Sequence, residues 1–383
     1  MGRLFAKVRE FFRKGDQILL LLCLLTSGFG CLVLASATAS MGATRFLMIQ
    51  SAAILIGVVL YAILSSVDTE FFSEHRTALV IFNCLLLAML IPFGTDNGSG
   101  NRSWLDLPLV PVDIQPAEIC KITYILIMAS VMNAHQNRIS SIPSVAHMVL
   151  HLGLLVGMNV VLSGDWGVSL IFVFIFIGMA FAGGVNLLWF GAGAGTLALA
   201  WPILWSRMDD YQKNRILILF DPTIDPQGIK ERWHTNQSLL SLTGGGLTGQ
   251  GLFNGNRTQT DALFAKHTDY IFSSIGEELG FLGCVVVLLL ELAIVARCIY
   301  VGTKSPDYMR RLVCFGAAAA LIFQVCSNVG MCIGVTPVIG LTLPFISYGG
   351  SSIVSLFAML GLVSGVHARP ESGSHERYIR PYR

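Results

Sequence analysis

The chain has 383 residues, 54% of them hydrophobic and only 13% charged, with a mean hydropathy of +0.68. Such an apolar excess excludes a soluble globular enzyme with a charged surface and points to a polytopic helical membrane protein. The formal net charge of +2 at pH 7 gives no basic footprint for nucleic acid, so membrane lipids are the partner that composition implies.

Apolar windows of about twenty residues, long enough to cross a hydrocarbon core, predict helices near 17–37, 46–66, 77–94, 117–133, 146–163, 166–184, 186–207, 270–302, 311–333 and 350–368. The expected fold is all-α: one transmembrane domain over 1–383 with about ten spans, and a large extracytoplasmic loop at about 208–268 between the seventh and eighth. The first apolar run follows a basic stretch and is not followed by a clear small-residue cleavage site, so it is read as helix one rather than a signal peptide. An even number of spans puts both termini on one side. Arg3, Lys7, Arg9, Arg13 and Lys14, then Arg297, Lys304, Arg310 and Arg311, then Arg369, Arg377, Arg380 and Arg383 all fall on that side, which basic residues mark as the cytoplasm. The nine cysteines lie in or at the ends of predicted helices without a Cys-x-x-Cys pair, so they read as packing residues.

Three irregular segments, about 95–116, 208–268 and 334–349, share the opposite face, and function is expected there. The first supplies Asn101, Arg102 and Trp104, a donor and an aromatic platform. Helix four then begins Gln115-Pro116-Ala117-Glu118-Ile119-Cys120-Lys121, with Glu118 and Lys121 three apart on one face. They are either a structural ion pair or a cavity lining in which Lys121 offers a cation to an anionic head group. Asp165, opening helix six, reads first as a helix N-cap.

In the long loop, residues 208–220 predict an interfacial amphipathic helix with Tyr211, Ile216, Leu219 and Phe220 to one side, stopped by Asp221-Pro222 and Asp225-Pro226. Gln237-Ser238 leads into the glycine-rich run 244–255, which reads either as a flexible connector or as a nest of backbone N–H groups for a phosphate-bearing substrate. The loop re-enters the membrane at His267-Thr268-Asp269-Tyr270, where Thr268 or Asp269 has the spacing of a helix N-cap. A carboxylate at the lip of a bilayer is costly unless solvated, paired or used. Glu277 and Glu278, adjacent inside the spanning helix, cannot both face lipid, so at least one is expected to face the bundle interior. The last segment, 334–352, is apolar but broken by proline and glycine, and reads as a re-entrant wall of a cavity or as a tight helix connection.

Asn101-Arg102-x-Trp104, Gln115-Pro116-x-Glu118-x-x-Lys121, Tyr211-Gln212-x-x-Arg215-Ile216, Asp221-Pro222-x-x-Asp225-Pro226-x-Gly228, Gln237-Ser238, His267-Thr268-Asp269-x-Ile271-Phe272, Ile275-Gly276-Glu277-Glu278-x-Gly280, Asn328-x-Gly330 and the run Leu343 to Ser352 occur in that order. In motifs and order the chain resembles the SEDS family of RodA, FtsW and SpoVE over nearly its whole length. Asn256-Arg257-Thr258-Gln259-Thr260 is most similar to the RodA branch. Two stretches depart from the family pattern: Ser163-Gly164-Asp165-Trp166-Gly167-Val168 stands for Gln-Pro-Asp-Leu-Gly-Thr, and Phe264-Ala265-Lys266 for Leu-Pro-Glu.

The resemblance implies an inverting glycosyltransferase that polymerises lipid II at the outer face of the cytoplasmic membrane beside a class B penicillin-binding protein. It implies Asp269 as the base. Arg102, Trp104, Glu118, Lys121, Asp165, Arg215, Gln237, Ser238, His267, Thr268, Ser347 and Tyr348 are the expected substrate-binding residues. No cofactor is implied with certainty; a divalent cation, Mg or Mn, is compatible with a pyrophosphate leaving group. The competing readings are a division or sporulation paralogue with the same chemistry, a lipid II flippase, and a non-enzymatic scaffold. A transporter site belongs near the bilayer midplane, whereas Arg102, Lys121, Asp165 and Asp269 cluster at the outer ends of helices.

Overall fold

The computed structural model describes residues 14–96, 101–106, 114–208, 210–225, 228, 232–260 and 262–369. Several of the basic residues used for orientation (Arg3, Lys7, Arg9, Arg13, Arg377, Arg380 and Arg383) lie outside these. Asp16 starts the first helix, its carboxylate accepting from Leu19 N at 3.1 Å, and α1 runs Gln17–Ala37. There follow α2 (Ala43–Ser65), α3 (Thr69–Glu74), α4 (Arg76–Ala88), which α5 (Leu90–Phe93) extends, α6 (Pro116–Ala134), α7 (Ile142–Ser163), α8 (Trp166–Ala182) and α9 (Leu187–Arg207). The loop holds α10 (Asp210–Leu217) and α11 (Trp233–Gly245), and α12 (Ile271–Lys304), α13 (Tyr308–Cys332) and α14 (Gly350–Ala368) complete the chain. Among the described residues, nine helices are long and apolar enough to cross a membrane, α4 and α5 counting as one, and α8 adds a shorter apolar helix of 17 residues. The chain is a multi-pass helical membrane protein.

The protein interior gathers around α6, α13 and α14, whose faces are buried almost throughout. Phe174 of α8 stacks on Phe323 of α13 at 4.1 Å, and Tyr124 of α6 meets Phe172 edge-on. By contrast α9 has no buried residue, and it meets the bundle at its first turn, where Trp189 Nε1 donates to Ser140 O at 2.8 Å and Phe190 packs on Phe181.

The end that carries the termini is closed by ion pairs. Arg297 grips Asp16 with Nε at 2.9 Å and Nη2 at 3.0 Å, and Arg310 Nη2 reaches both oxygens of Asp68 at 3.2 and 3.3 Å. Tyr61 Oη donates to Asp16 O at 2.8 Å, and the hydroxyls of Ser65 and Ser364 meet at 2.9 Å, tying α1, α2 and α14 together.

The opposite end carries the irregular structure. A short antiparallel ribbon pairs β1 (Gly94–Thr95) with β2 (Trp104–Leu105). The amphipathic helix predicted over 208–220 is shorter, α10 ending at Leu217, and Asp209 and the side chain of Tyr211 lie outside the described residues. Asp221 then accepts from Thr223 N at 2.9 Å and opens a 3-10 turn over Pro222–Ile224.

The glycine run is neither free connector nor open nest, because it pairs with a break in α12. Gly280 has φ 69° and ψ −166°, which interrupts the helix. The exposed backbone is met by the run: Gln250 N donates to Glu277 O and Gly251 N to Glu278 O, both at 2.9 Å, while Phe281 N and Leu282 N donate to Gly246 O and Leu247 O. The approach is so close that a Cβ at Gly245 would lie 1.8 Å from Gly276 O, and one at Gly249 2.1 Å from Glu278 O. Both carboxylates beside the break turn inward, as expected. Glu277 accepts from Arg257 N at 3.0 Å and from Thr258 N and Oγ1 at 2.8 and 2.7 Å, and Glu278 Oε1 accepts from Gln259 Nε2 at 2.7 Å.

Candidate active site

The segment 266–269 is held through its carbonyls. Lys266 O accepts from Ser274 Oγ at 3.1 Å, His267 O from Tyr348 N at 2.9 Å, Thr268 O from Ser347 Oγ at 2.7 Å, and Asp269 O from Asn328 Nδ2 at 2.8 Å. These donors come from α12, from the irregular segment after α13, and from α13 itself. That last segment is fixed in turn: Asn328 Nδ2 also donates to Leu341 O at 2.7 Å, and Gln50 of α2 donates Nε2 to Ser347 O at 3.1 Å. Leu341, Leu343, Phe345 and Ile346 are buried, so the chain break between α13 and α14 is walled by protein, the condition under which irregular backbone survives at membrane depth.

With its backbone clamped, Asp269 has its carboxylate left over. It accepts no hydrogen bond among the described residues, and it does not cap the helix, whose N-cap is Tyr270 with no side-chain bond. Desolvation pushes its pKa up to about 6; the Arg215 guanidinium pulls it down and the Asp165 carboxylate pushes it further up. Arg215 on α10 is positioned by donating Nη1 to Val338 O at 3.1 Å. Asp165 is the N-cap that spacing suggests, accepting from Val168 N at 3.0 Å, and it also receives Ser103 Oγ at 3.2 Å, which ties the β-ribbon loop to the α7–α8 corner. Burial raises its pKa as well. His267 lies edge-on to Phe46 at 5.1 Å and near Tyr348 at 5.9 Å, with burial and then Lys266 lowering its pKa.

Asp269, His267, Thr268, Ser347, Tyr348, Arg215 and Asp165 therefore form one neighbourhood. The other expected residues are placed differently. Arg102 donates Nε and Nη2 to Gly94 O at 3.3 Å and Nη2 to Ile91 O at 3.2 Å, closing the end of α5, and Trp104 sits in β2 opposite Thr95. Lys121 is 2% exposed and paired with Glu118 at 2.9 Å, and Ser355 Oγ donates to the other Glu118 oxygen at 2.6 Å. Of the two readings open for that pair, the geometry is that of a buried ion pair joining α6 to α14. Gln237 accepts from Arg257 Nε at 3.2 Å, and Ser238 is buried against Ser273 and Cys332 O, behind the site.

Two contributors escaped sequence reasoning. Gln50 offers no motif around it, whereas Trp233-His234, immediately before Gln237-Ser238, is an aromatic and imidazole pair in a polar loop that could have been flagged. Among the described residues no three His, Cys, Asp or Glu side chains gather to hold a metal. Asp165, whose charge reaches Asp269, is the carboxylate suited to a cation shared with substrate phosphates, because Mg takes one or two carboxylates and completes its shell with waters and phosphate oxygens.

These features define a class: a multi-pass helical membrane protein that presents a desolvated carboxylate at one end of its bundle by clamping the backbone around it. The sequence model of the FtsW, RodA and SpoVE family, described as cell cycle protein, matches residues 16–372, and the chain belongs to that family. It is 31% identical over 317 residues to the peptidoglycan glycosyltransferase MrdB of Escherichia coli, spanning 82% of this chain and 83% of that one. To the probable peptidoglycan glycosyltransferase FtsW of Trichlorobacter lovleyi it is 31% identical over 374 residues, 94% and 95% of the two chains. Among solved structures, a chain of a peptidoglycan synthase complex, described by its coordination of polymerization and crosslinking, aligns with a TM-score of 0.77 at 30% identity over 96% of this chain and 99% of that chain. The rod shape determining protein RodA of Thermus thermophilus aligns at 0.68 and 27% identity over 92% and 96%.

Proposed function

We propose that this chain polymerises lipid II into glycan strands at the outer face of the cytoplasmic membrane, with Asp269 as general base, for cell elongation in the manner of RodA. The broader activity, peptidoglycan glycosyl transfer, is common to the MrdB and FtsW relatives and does not depend on the branch. The observation that carries the residue assignment is the clamp: the carbonyls from Lys266 to Asp269 are all bonded, while the Asp269 carboxylate accepts no hydrogen bond among the described residues.

In this mechanism Asp269 takes the proton from the acceptor sugar 4-hydroxyl as its oxygen attacks the anomeric carbon of the donor. The glycosyl–phosphate bond breaks with inversion, the lipid pyrophosphate leaves with the bonding electrons, and Asp269 returns the proton to solvent. A pKa of about 6 suits a base that works near neutral pH. Arg215, placed by Val338 O, supplies positive charge near the leaving group. A divalent cation, held by Asp165 beside the substrate phosphates, would add charge neutralisation there.

A class B penicillin-binding protein is the proposed partner, supported by the relative found in a complex that couples polymerization to crosslinking. The division branch is the second reading, favoured by equal identity to MrdB and FtsW. Purified protein incubated with labelled lipid II should build glycan chains, and Asp269→Ala should insert and fold but build none. Polymerisation by Asp269→Ala at the wild-type rate would overturn the base assignment, and transport of lipid II without chain growth by the wild type would favour the flippase.

A further inference from the structure

The flank of Asp269 that faces α11 is lined by groups that the chemistry above leaves idle. The His234 ring lies 5.1 Å from the Trp233 ring, 5.1 Å from Phe264 and 6.3 Å from Tyr270, almost parallel to the last. Phe264 is 65% exposed although it stands in a loop outside the spanning helices. His234 Nδ1 is buried with no hydrogen-bond partner, and Nε2 has none among the described residues. An orphaned buried N–H is rarer and costlier than an orphaned lone pair, so the ring proton belongs on Nε2, the nitrogen that is not enclosed. Burial, and then the Arg215 charge, keep the ring from taking a second proton at neutral pH. The cluster is therefore an aromatic wall with one neutral N–H donor. It adjoins the base, since Tyr270 follows Asp269 in the chain and the Arg215 charge acts on both Asp269 and His234.

We infer that Trp233, His234 and Phe264 form a subsite for one pyranose ring of an N-acetylated glycan, the aromatic groups packing on its C–H face and His234 Nε2–H donating to a hydroxyl or acetamido oxygen. The subsite rests on the glycosyltransferase reading and deepens it. A pyranose has the matching two-sided chemistry: apolar C–H groups on a face and hydroxyl or carbonyl oxygens around the edge. It is also the part of a sugar-bearing lipid that must lie next to a base acting on a hydroxyl. A lipid tail fits less well, because it would leave the N–H donor unsatisfied.

Two measurements test it. In the first, the full-length Asp269→Asn protein in nanodiscs is titrated with a soluble N-acetylglucosaminyl–N-acetylmuramic acid disaccharide while tryptophan emission is followed. A saturable change at millimolar concentrations is expected, lost with Trp233→Phe and weakened with the exposed-site variant Phe264→Ala. In the second, His234→Phe and His234→Gln are compared as polymerases in the otherwise wild-type protein. His234→Phe keeps the ring and loses the donor, so KM for lipid II should rise about tenfold with kcat nearly unchanged; His234→Gln, with an amide near the Nε2 position, should restore most of it. A role confined to ring packing predicts the reverse order, Phe active and Gln impaired, and that order would overturn the subsite. So would wild-type polymerisation with no emission change, or an unchanged KM in both Phe264→Ala and His234→Phe. Failure of the base assignment reads differently, as polymerisation by Asp269→Ala alongside intact disaccharide binding.

Discussion

Both ends of the bundle hold acidic groups set into the protein, and they are satisfied in opposite ways. At the terminus-bearing end, cytoplasmic in the proposed orientation, the side chains do the bonding: Asp16 receives two nitrogens of Arg297, and Asp68 receives Arg310. At the other end the backbone of 266–269 is bonded carbonyl by carbonyl, and the Asp269 side chain makes no hydrogen bond among the described residues. A carboxylate whose charge is spent on a guanidinium is a fastener. One that is positioned through its main chain and left with the distant charge of Arg215 is, in the proposed mechanism, stored reactivity, and desolvation raises its pKa to about 6.

The sharpest way to break the contrast is Asp269→Asn, which should lower polymerisation about 10²–10⁴-fold, the usual share of a positioned base, with membrane insertion unchanged by protease protection. Glu118→Ala should come next. It strands the Lys121 ammonium in a dry interior, a loss of about 3–5 kcal/mol, read as a fall in thermal midpoint together with activity; wild-type turnover and midpoint would remove the pair from the account. Asp16→Ala at the fastened end should cost about 2 kcal/mol, less than a fully enclosed pair because Arg297 is 17% exposed, and protein that remains folded should polymerise normally. Activity against pH should then rise about tenfold from pH 5 to 7, following one deprotonation near pH 6; a profile flat across that range would mean that Asp269 is not the titrating base. The smallest effect is on stability. A carboxyl whose folded pKa lies above its unfolded value binds extra protons when folded, so stability falls as pH rises from about 4 to about 6. Asp269→Asn should therefore stabilise the fold at pH 8 by on the order of 1 kcal/mol, given the partial exposure of Asp269, read as a higher thermal midpoint, and the gain should vanish near pH 4.

The helices were legible because length and hydropathy are local. The window 17–37 is α1, 350–368 is α14, and 187–207 misses the predicted start of α9 by a single residue. Some starts moved: at α13 Asp307 accepts from Arg310 N and brings the start forward to Tyr308, and at α7 Pro143 in the first turn lets the helix begin at Ile142. Asp269 and the motif around it were legible from residue order. What could not be read was nonlocal pairing. No periodicity announces that a glycine run will lie against a helix broken at Gly280, nor that Arg102 will be consumed by the carbonyls of α5 while Arg215 reaches the site. The same limit hid Gln50, whose role exists only because α2 meets the loop before α14.

One spanning helix buries no residue and is held to the bundle at its first turn, where Trp189 Nε1 donates to Ser140 O and Phe190 meets Phe181. At 21 residues α9 is about 31 Å long, close to a hydrocarbon core of about 30 Å, and with its start held and the rest of its length exposed, hydrophobic mismatch acts on its tilt. Its far end leads through Met208 into α10 and Arg215. Bilayer thickness is thus coupled to the placement of Arg215, the cation of the proposed mechanism, and reconstitution across phospholipids of graded acyl length should retune turnover while the Asp16–Arg297 fastening stays as it is.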